Sequence, residues 1–593
     1  MRQLSTSPIS AQATLTQHAM LVVWGLYARR IGLVEALNQV ELKQKTRDHR
    51  PQTKVLEFLV AILAGLPYLQ DISRAAHPLD QDPMTAQAWD QPAWADYSGV
   101  SRTLQQLSES EVDALIAAVN EVGQPFLRQE IELALAQSGC LFYDGDLTGR
   151  PVSRGSNSYP DAAFGFMGDA VDFGYQAAMV TLRSPTYGRL WLSSQLHPGD
   201  TVSVTQTQAL VLAAEGRTGQ RPQRRADLVT ERLARAEAEA QAAHERLDRS
   251  DDQLREVRTK EKDARQQLSE NQQQVAQFTA EYQEEGREAT GHCKLTRARQ
   301  KVDTYAARVP RCQQAVVIAE RRLARHEAQF LAALDLVAQL QKHLAQLLTD
   351  NAANPMPVRA VFRLDGGFVS YENIAWLIEM GYDVYLKSRA AAVRDRLLTA
   401  VTPETVWQRV GGNAELTAWS ATTVGDAFIY PMNVALARYR TGETTRHAVL
   451  LHYGQDPVAT NLKGWFDSYN GRQTIEAGIK EGKGVFQMMH LKVRSAPALR
   501  LQEQFACFAA NFVRFAAHWL ATEQTPTVLP THSVKRLVQV GAHTSAWVCR
   551  QGDGWLLRFT EQSVYAGYTL HFGNGPGQLP LLPPQKNFYF CHF

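Results

Sequence analysis

The sequence predicts a mixed α/β protein whose sheet is interrupted by a long helical insertion. Two sets of strand-like segments carry the first half of this reading. Cys140-Leu-Phe-Tyr-Asp, Gly174-Tyr-Gln-Ala-Ala-Met-Val-Thr-Leu and Gly188-Arg-Leu-Trp-Leu are rich in β-formers and bounded by turn residues. Strand character returns at Val358-Arg-Ala-Val-Phe-Arg-Leu-Asp and Tyr382-Asp-Val-Tyr-Leu-Lys. Between the two sets runs a heptad pattern. Leu233, Ala240, Leu247, Leu254, Glu261, Leu268, Val275 and Tyr282 recur every seventh residue, accompanied three residues later by Ala236, Ala243, Ser250, Val257, Ala264, Asn271 and Phe278.

Taken in order, residues 1–138 read as a helical, candidate DNA-binding region, because Ala19-Met-Leu-Val-Val-Trp-Gly-Leu-Tyr and Val55-Leu-Glu-Phe-Leu-Val-Ala-Ile-Leu have helical apolar spacing. Lys43, Lys45 and Arg47, with Arg50 and Lys54, form a basic stretch between them. Arg102 lies in Ser98-Gly-Val-Ser101-Arg102-Thr103, where a Ser or Thr would cap a helix whose first turn could meet a phosphate. A solvated loop and an ordinary capped helix are the plain alternatives.

Residues 139–204 form the first part of the sheet core, and Pro198-Gly-Asp-Thr ends it. Residues 205–350 are expected to be a coiled-coil hairpin. Val316, Leu323, Phe330, Val337 and Leu344, with Ala319, Ala333, Leu340 and Leu347, form its second arm, and Glu285-Gly-Arg-Glu-Ala-Thr-Gly291 its turn. Pro310 is expected to kink or delay that arm. Glu261, Asn271 and His326 fall on the seam, where polar residues weaken packing and fix register. Residues 351–402 resume the core, with a helix from Ser370 to Met380, and 403–461 read as a small β insertion. Residues 462–520 are helical, and 521–593 form a small C-terminal β region.

Composition limits the function. With 45% hydrophobic and 21% charged residues the chain is an ordinary folded protein. A net charge of +2 means that any nucleic-acid surface must come from local clustering of Lys and Arg. The six cysteines contain no CxxC pair, so neither a disulfide framework nor a zinc ribbon is expected, and a reducing cytoplasm fits. The N-terminal MRQLSTSPISAQATLTQ lacks the apolar core of a signal peptide, and no membrane span is expected.

Three carboxylate positions then stand out: Tyr143-Asp-Gly-Asp146-Leu-Thr148, Arg363-Leu-Asp365-Gly-Gly-Phe368, and Glu476 within Tyr469-Asn-Gly-Arg472-Gln-Thr-Ile-Glu476. The first two end strands and the third lies on a helix. Acidic side chains converging from separate elements are what a two-metal phosphodiester-cleaving site requires. Asp144 and Asp146 are two apart and share a strand face, so either is the first ligand by spacing. Tyr469, Arg472 and Glu476 at i, i+3 and i+7 share one helix face, with Lys480 one turn on and Lys483 beyond it, between Gly482 and Gly484. A solvated helix with a Glu476–Lys480 ion pair is the plain alternative. Trp465, just before, is a candidate for stacking on an opened base, or else a core aromatic.

The spacing Tyr, two residues, Arg, three residues, Glu, six residues, Lys resembles the YREK signature of bacterial insertion-sequence DDE transposases. The resemblance covers roughly 140–200, 355–400 and 463–500. It implies an RNase H-like core and cut-and-paste transposition. It also implies a catalytic and metal-binding triad of Asp146, Asp365 and Glu476, Asp146 being preferred because Asp146-Leu-Thr148 fits the family's Asp-x-Thr form. Two Mg²⁺ ions, replaceable by Mn²⁺, are implied at the site. Tyr469, Arg472 and Lys483 are implied to hold DNA backbone. The expected partners are double-stranded DNA (terminal inverted repeats and target) and a second copy in a homodimer, in the cytoplasm at the nucleoid. Gly366 departs from the family, which often has Ser there, and the hairpin has no counterpart in the resemblance. The rival readings are a domesticated DNA-bridging protein and an RNase H-like nuclease without strand transfer.

Overall fold

A computed structural model describes residues 13–44, 48–154, 159–422, 429–523, 532–551, 554–563, 565–566 and 568–573. Lys45 and Arg47 lie outside these residues. The described residues divide into two compact units, one formed by 1–223 with 356–593 and the other by 224–355.

The first unit opens with a short strand, β1 (Thr14–Thr16), and seven helices: α1 (Ala19–Arg30), α2 (Leu33–Gln39), α3 (Pro51–Leu63), α4 (Asp71–Arg74), α5 (Pro83–Ala88), α6 (Tyr97–Gln105) and α7 (Glu109–Ser138). A reciprocal capping box between Ser108 and Glu111 starts α7. Strands β2 (Leu141–Pro151), β3 (Ala163–Phe166), β4 (Val171–Ser184) and β5 (Gly188–Pro198) follow, then α8 (Thr207–Thr218).

The second unit is the hairpin: α9 (Ala226–Glu284) and α10 (Lys294–Ala352), of 59 residues each. At 1.5 Å per residue each arm runs on the order of 90 Å. The helical insertion therefore starts at Arg224, not at residue 205. The left-handed Gly219 ends α8, and Pro222 follows it. Every seam residue named above is buried or half-buried. The seam also continues toward the turn through Leu295, Ala298, Val302, Tyr305, Val309 and Cys312. Pro310 points outward and α10 runs through it unbroken, so no delay is seen. Asn271 and Glu261 do not pin register: the Asn271 amide donates to Gln267 and Glu261 pairs with Arg265, both in their own arm. His326 does cross the seam, its Nδ1 lying 2.6 Å from Ser250 Oγ. Arg258–Glu320 and Arg322–Gln253 link the arms outside the seam. At the base, Asn351 hydrogen-bonds both backbone groups of Arg224, whose side chain pairs with Asp350.

Back in the first unit come β6 (Ala360–Leu364), α11 (Tyr371–Glu379), β7 (Asp383–Ser388), α12 (Ala391–Thr399), β8 (Gln408–Arg409), β9 (Ala414–Thr422), β10 (Met432–Thr441) and β11 (Thr444–Tyr453). Helices α13 (Leu462–Asn470), α14 (Gln473–Gly484), α15 (Ala496–Glu523) and α16 (Val534–Gln539) follow. Strands β12 (Ala546–Gln551), β13 (Gly554–Phe559) and β14 (Thr569–Gly573) complete the described chain.

One mixed sheet has the order β3-β4-β2-β6-β7-β11-β10-β9-β8, with β5 also on β4. Strands β2, β6 and β7 are parallel, whereas β4 runs against β2 and β5. All five residues of β6 are buried, as expected of a central parallel strand. The expected β insertion is not a separate body: β11 pairs antiparallel with β7 and extends the same sheet. Nor is the N-terminal region apart from the core. Helix α15 ties them together through Tyr27–Trp519 (4.8 Å between ring centroids) and Phe126–Phe515 (4.3 Å). Strand β1 joins β12 of the C-terminal sheet. Among the described residues no helix is long and apolar enough to cross a membrane.

The Ser250–His326 contact places a polar pair where the seam otherwise buries apolar side chains. Ser250→Ala with His326→Leu is expected to stabilise the arms locally by about 1 kcal/mol. Hydrogen exchange across both arms in the full chain checks this. Faster exchange around 250 and 326 would show instead that the polar pair holds the arms together.

Candidate active site where β2 and β6 part

Period-two alternation places Asp144, Asp146 and Arg150 on one face of β2, and Arg363 and Asp365 on one face at the end of β6. Parallel pairing sets Asp144 beside Arg363. Two residues on, the same register carries Asp146 to the level of Asp365, one residue past the end of β6. Neighbouring strands are only ~4.8 Å apart, so two carboxylates are brought together here.

The two rows differ in chemistry. Asp144 and Arg363 are fully buried and form a bidentate pair, Nε to Oδ1 at 2.6 Å and Nη2 to Oδ2 at 2.7 Å. Arg363 Nη1 donates to the Ser468 carbonyl at the end of α13, and Thr474 Oγ1 in α14 donates to Asp144. The ion pair thus pins the α13–α14 junction to the sheet. Asp144 is thus committed to Arg363, whereas Asp146, its side chain 17% exposed, lies beside Arg472.

The signature does not lie on one helix. Helix α13 ends at Asn470 with Gly471 as its cap, and α14 starts after Arg472. The joint is made by i to i−3 hydrogen bonds, Arg472 to Tyr469 and Thr474 to Gly471. Gly471 is needed there for space: a Cβ would lie 2.2 Å from Arg363 Nη1. Gly366 is likewise short of space, since a Cβ would lie 2.8 Å from the Lys387 carbonyl oxygen and 2.5 Å from Arg389 Cγ.

Arg472 bridges the carboxylates, 3.4 Å from Asp146 and in contact with Glu476 in the first turn of α14. Asp365 accepts from the Gly367 backbone N–H at 2.8 Å and pairs with the exposed Arg389 at 3.0 Å. Burial pushes Asp146 up to about 6 against the pull of Arg472, and Asp365 and Glu476 add to the rise. Burial alone would lower Arg472, but Asp146, Tyr469, Glu476 and Asp365 outweigh it and hold the guanidinium charged. Tyr469 is buried, which raises its hydroxyl to about 12, with Arg472 acting against the rise. Lys483 is half-buried; burial and Arg150 lower its pKa, and Asp146 opposes them. Lys480 is exposed on α14.

Trp465 does not present a ring to a base. It is 1% exposed and packs in a core cluster with Val361, Tyr385, Leu450 and Tyr469, which corrects the stacking expectation. Lys43 and Arg102 are exposed on the helical region. Helix α6 is capped by Asp96, whose carboxylate takes the Gly99 N–H, and not by Ser98 or Thr103.

Sequence reading missed Arg363, Arg389 and Arg150 as partners of the site. Period-two spacing from Asp365 and Asp146 was the available signal for Arg363 and Arg150. Arg150 is fully buried against Glu503, which also accepts from Ser194. At the far end of α14, Glu481 binds Arg514 and Arg189, so the helix is held at both ends.

The donor set of three carboxylates suits a hard divalent cation. Among the described residues, no three His, Cys, Asp or Glu side chains are grouped to hold a metal ion. Each of these carboxylates is instead turned to an arginine, Arg472 for Asp146 and Glu476, Arg389 for Asp365. No protein-family model and no curated protein matches the chain significantly.

Two outcomes follow from this geometry. Gly471→Ala is expected to displace Arg363 from Asp144 and lower stability by about 3 kcal/mol, measured by denaturant unfolding. An unchanged midpoint would show that the ion pair does not depend on that close approach. For Asp146 the folded pKa is raised, so its charge opposes folding above about pH 6 and ceases to do so below its unfolded value. Asp146→Asn is therefore expected to raise stability at pH 8 by on the order of 2 kcal/mol, the gain vanishing as pH falls toward about 4. A gain that is the same at both pH values would contradict this.

Proposed function

We propose that this chain is a DNA transposase of the insertion-sequence DDE type, with an RNase H-like core. The observation that carries the reading is the convergence of Asp146 and Asp365 just beyond the point where the parallel pairing of β2 with β6 stops, close enough for each charge to act on the other, with Glu476 on a helix anchored over them. The mixed sheet, an antiparallel group β5-β4-β2 running into the parallel group β2-β6-β7, supports the RNase H-like reading.

In this reading Asp146, Asp365 and Glu476 hold Mg²⁺, or Mn²⁺, by hard oxygen ligation. Two such ions, when bound, would activate the attacking oxygen and stabilise the leaving one. Arg472, Lys483 and Lys480 supply positive charge on the DNA side, Arg472 being able to grip a phosphate bidentately. Its present contacts with Asp146 and Glu476 mean that it must exchange carboxylate for phosphate as DNA enters. Tyr469 supports Arg472 from the core. Water would be the first nucleophile at the element end, and the freed 3′-hydroxyl the second. Pairing of two ends calls for two protomers, and chromosomal DNA as substrate fits a cytoplasmic, nucleoid-associated protein.

Incubating the chain with DNA carrying the ends that flank its gene, with Mg²⁺ or Mn²⁺, tests this. Strand cleavage at the end is expected, with a loss of at least ~10²-fold in Glu476→Gln. Mn²⁺ is also expected to raise the melting temperature of the wild type more than that of Asp146→Asn. Specific binding of the ends without cleavage would favour a DNA-bridging protein. Cleavage without joining would favour a nuclease.

A further inference from the structure

The outside of a two-helix coiled coil is ordinarily charged. Helix α9 obeys this, carrying exposed pairs such as Arg255–Asp251 and Lys260–Glu256. Helix α10 does not. Val317, Ala324, Leu331, Ala338 and Ala345 recur every seventh residue, and Leu334, Gln341 and Leu348 lie three residues after the last three of them. All are exposed, Val317 at 40%, Leu331 at 58%, Leu334 at 43% and Leu348 at 55%. This second stripe lies roughly 100° around α10 from the seam that meets α9, at 100° per residue. Two seams about a quarter-turn apart are what a helix needs to touch two neighbours in a bundle.

We infer that this stripe is a self-association surface, pairing α10 with α10 of a second copy, antiparallel about a two-fold axis between Leu334 and Asp335. A two-fold interface must be complementary to itself. Reversed about that point, Leu331 of one copy meets Ala338 of the other and Ala324 meets Ala345 along the centre of the face, so large faces small and small faces small there, while at the flanks Leu334 meets Asp335 and Leu348 meets the aliphatic stem of Arg321. The same operation sets exposed Glu327 against exposed Lys342, twice in each pair. The basic residues of α10, among them Arg321 and Arg325, do not interrupt the central part of the stripe. The inference deepens the proposed function by naming the contact between protomers, but the contact itself needs no DNA.

Sedimentation of the full chain without DNA tests it. A dimer is expected at tens of micromolar, and Leu331→Glu with Leu334→Glu should give a monomer of unchanged helix content. Glu327→Lys alone and Lys342→Glu alone should each weaken association roughly tenfold, two like-charge contacts replacing two ion pairs, and the double swap should restore it. A monomeric wild type, or a double swap no tighter than the singles, would overturn the interface. If the stripe instead bound DNA, the leucine variant would lose DNA affinity with no change in mass. A dimer lacking end cleavage would leave the interface standing and sink the transposase reading; end cleavage by a monomer would do the reverse.

Discussion

The Asp144–Arg363 ion pair is the contact on which the site depends. Two charges taken wholly out of water are costly, and only full hydrogen bonding offsets the loss. Here the guanidinium spends two nitrogens on the carboxylate and one on the Ser468 carbonyl, with the Phe142 ring 5.2 Å away. Thr474 adds a bond to the carboxylate from α14. One pair therefore binds β2 to β6 and both to the α13–α14 junction. Everything that faces outward from that junction, Arg472 and Glu476 above all, inherits its position from it.

One level above, the same strand geometry has the opposite consequence. Asp146 and Asp365 come level where their charges repel, and burial makes Asp146 harder to ionise. Like charges held together in a partly buried place are destabilising unless a cation joins them. In this structure the cations are arginines, Arg472 on Asp146 and Arg389 on Asp365. A site that stores unfavourable charge in the folded state is a common mark of function, because stability alone would not select it. The neutral pair below and the strained cluster above are two rungs of one ladder, one holding the strands together and the other leaving like charges close to each other.

The hairpin obeys separate rules. Its stability comes from a long seam in which leucine, valine and aromatic side chains are interspersed with alanines, with Ser250–His326 as the polar contact that crosses it. Small seam residues let the arms approach closely but bury little area per layer. The length of the arms compensates. Its second apolar stripe is a feature that the arms themselves do not need, which is why it reads as a surface for another copy.

Much of this was legible in one dimension because it is periodic. Heptads gave the hairpin and its facing residues, and alternation gave the strands, down to the helix between β6 and β7. The three carboxylates were readable because a short local spacing marks the last of them. Other features depended on partners far away in the chain. Asp144 and Asp146 look alike along β2, and Arg363, 219 residues on, is what separates them. Trp465 and Tyr469 sit on one short helix, and only the sheet beneath shows that Trp465 is wholly buried. Whether the signature occupied one helix or two turned on Gly471, whose role is to leave room for Arg363. The sequence by itself determined which segments are strand or helix and which acidic residues are available. Tertiary structure decided which of those acids is sealed in a bidentate ion pair and which is left half-buried among like charges, because burial and pairing are properties of neighbours in space.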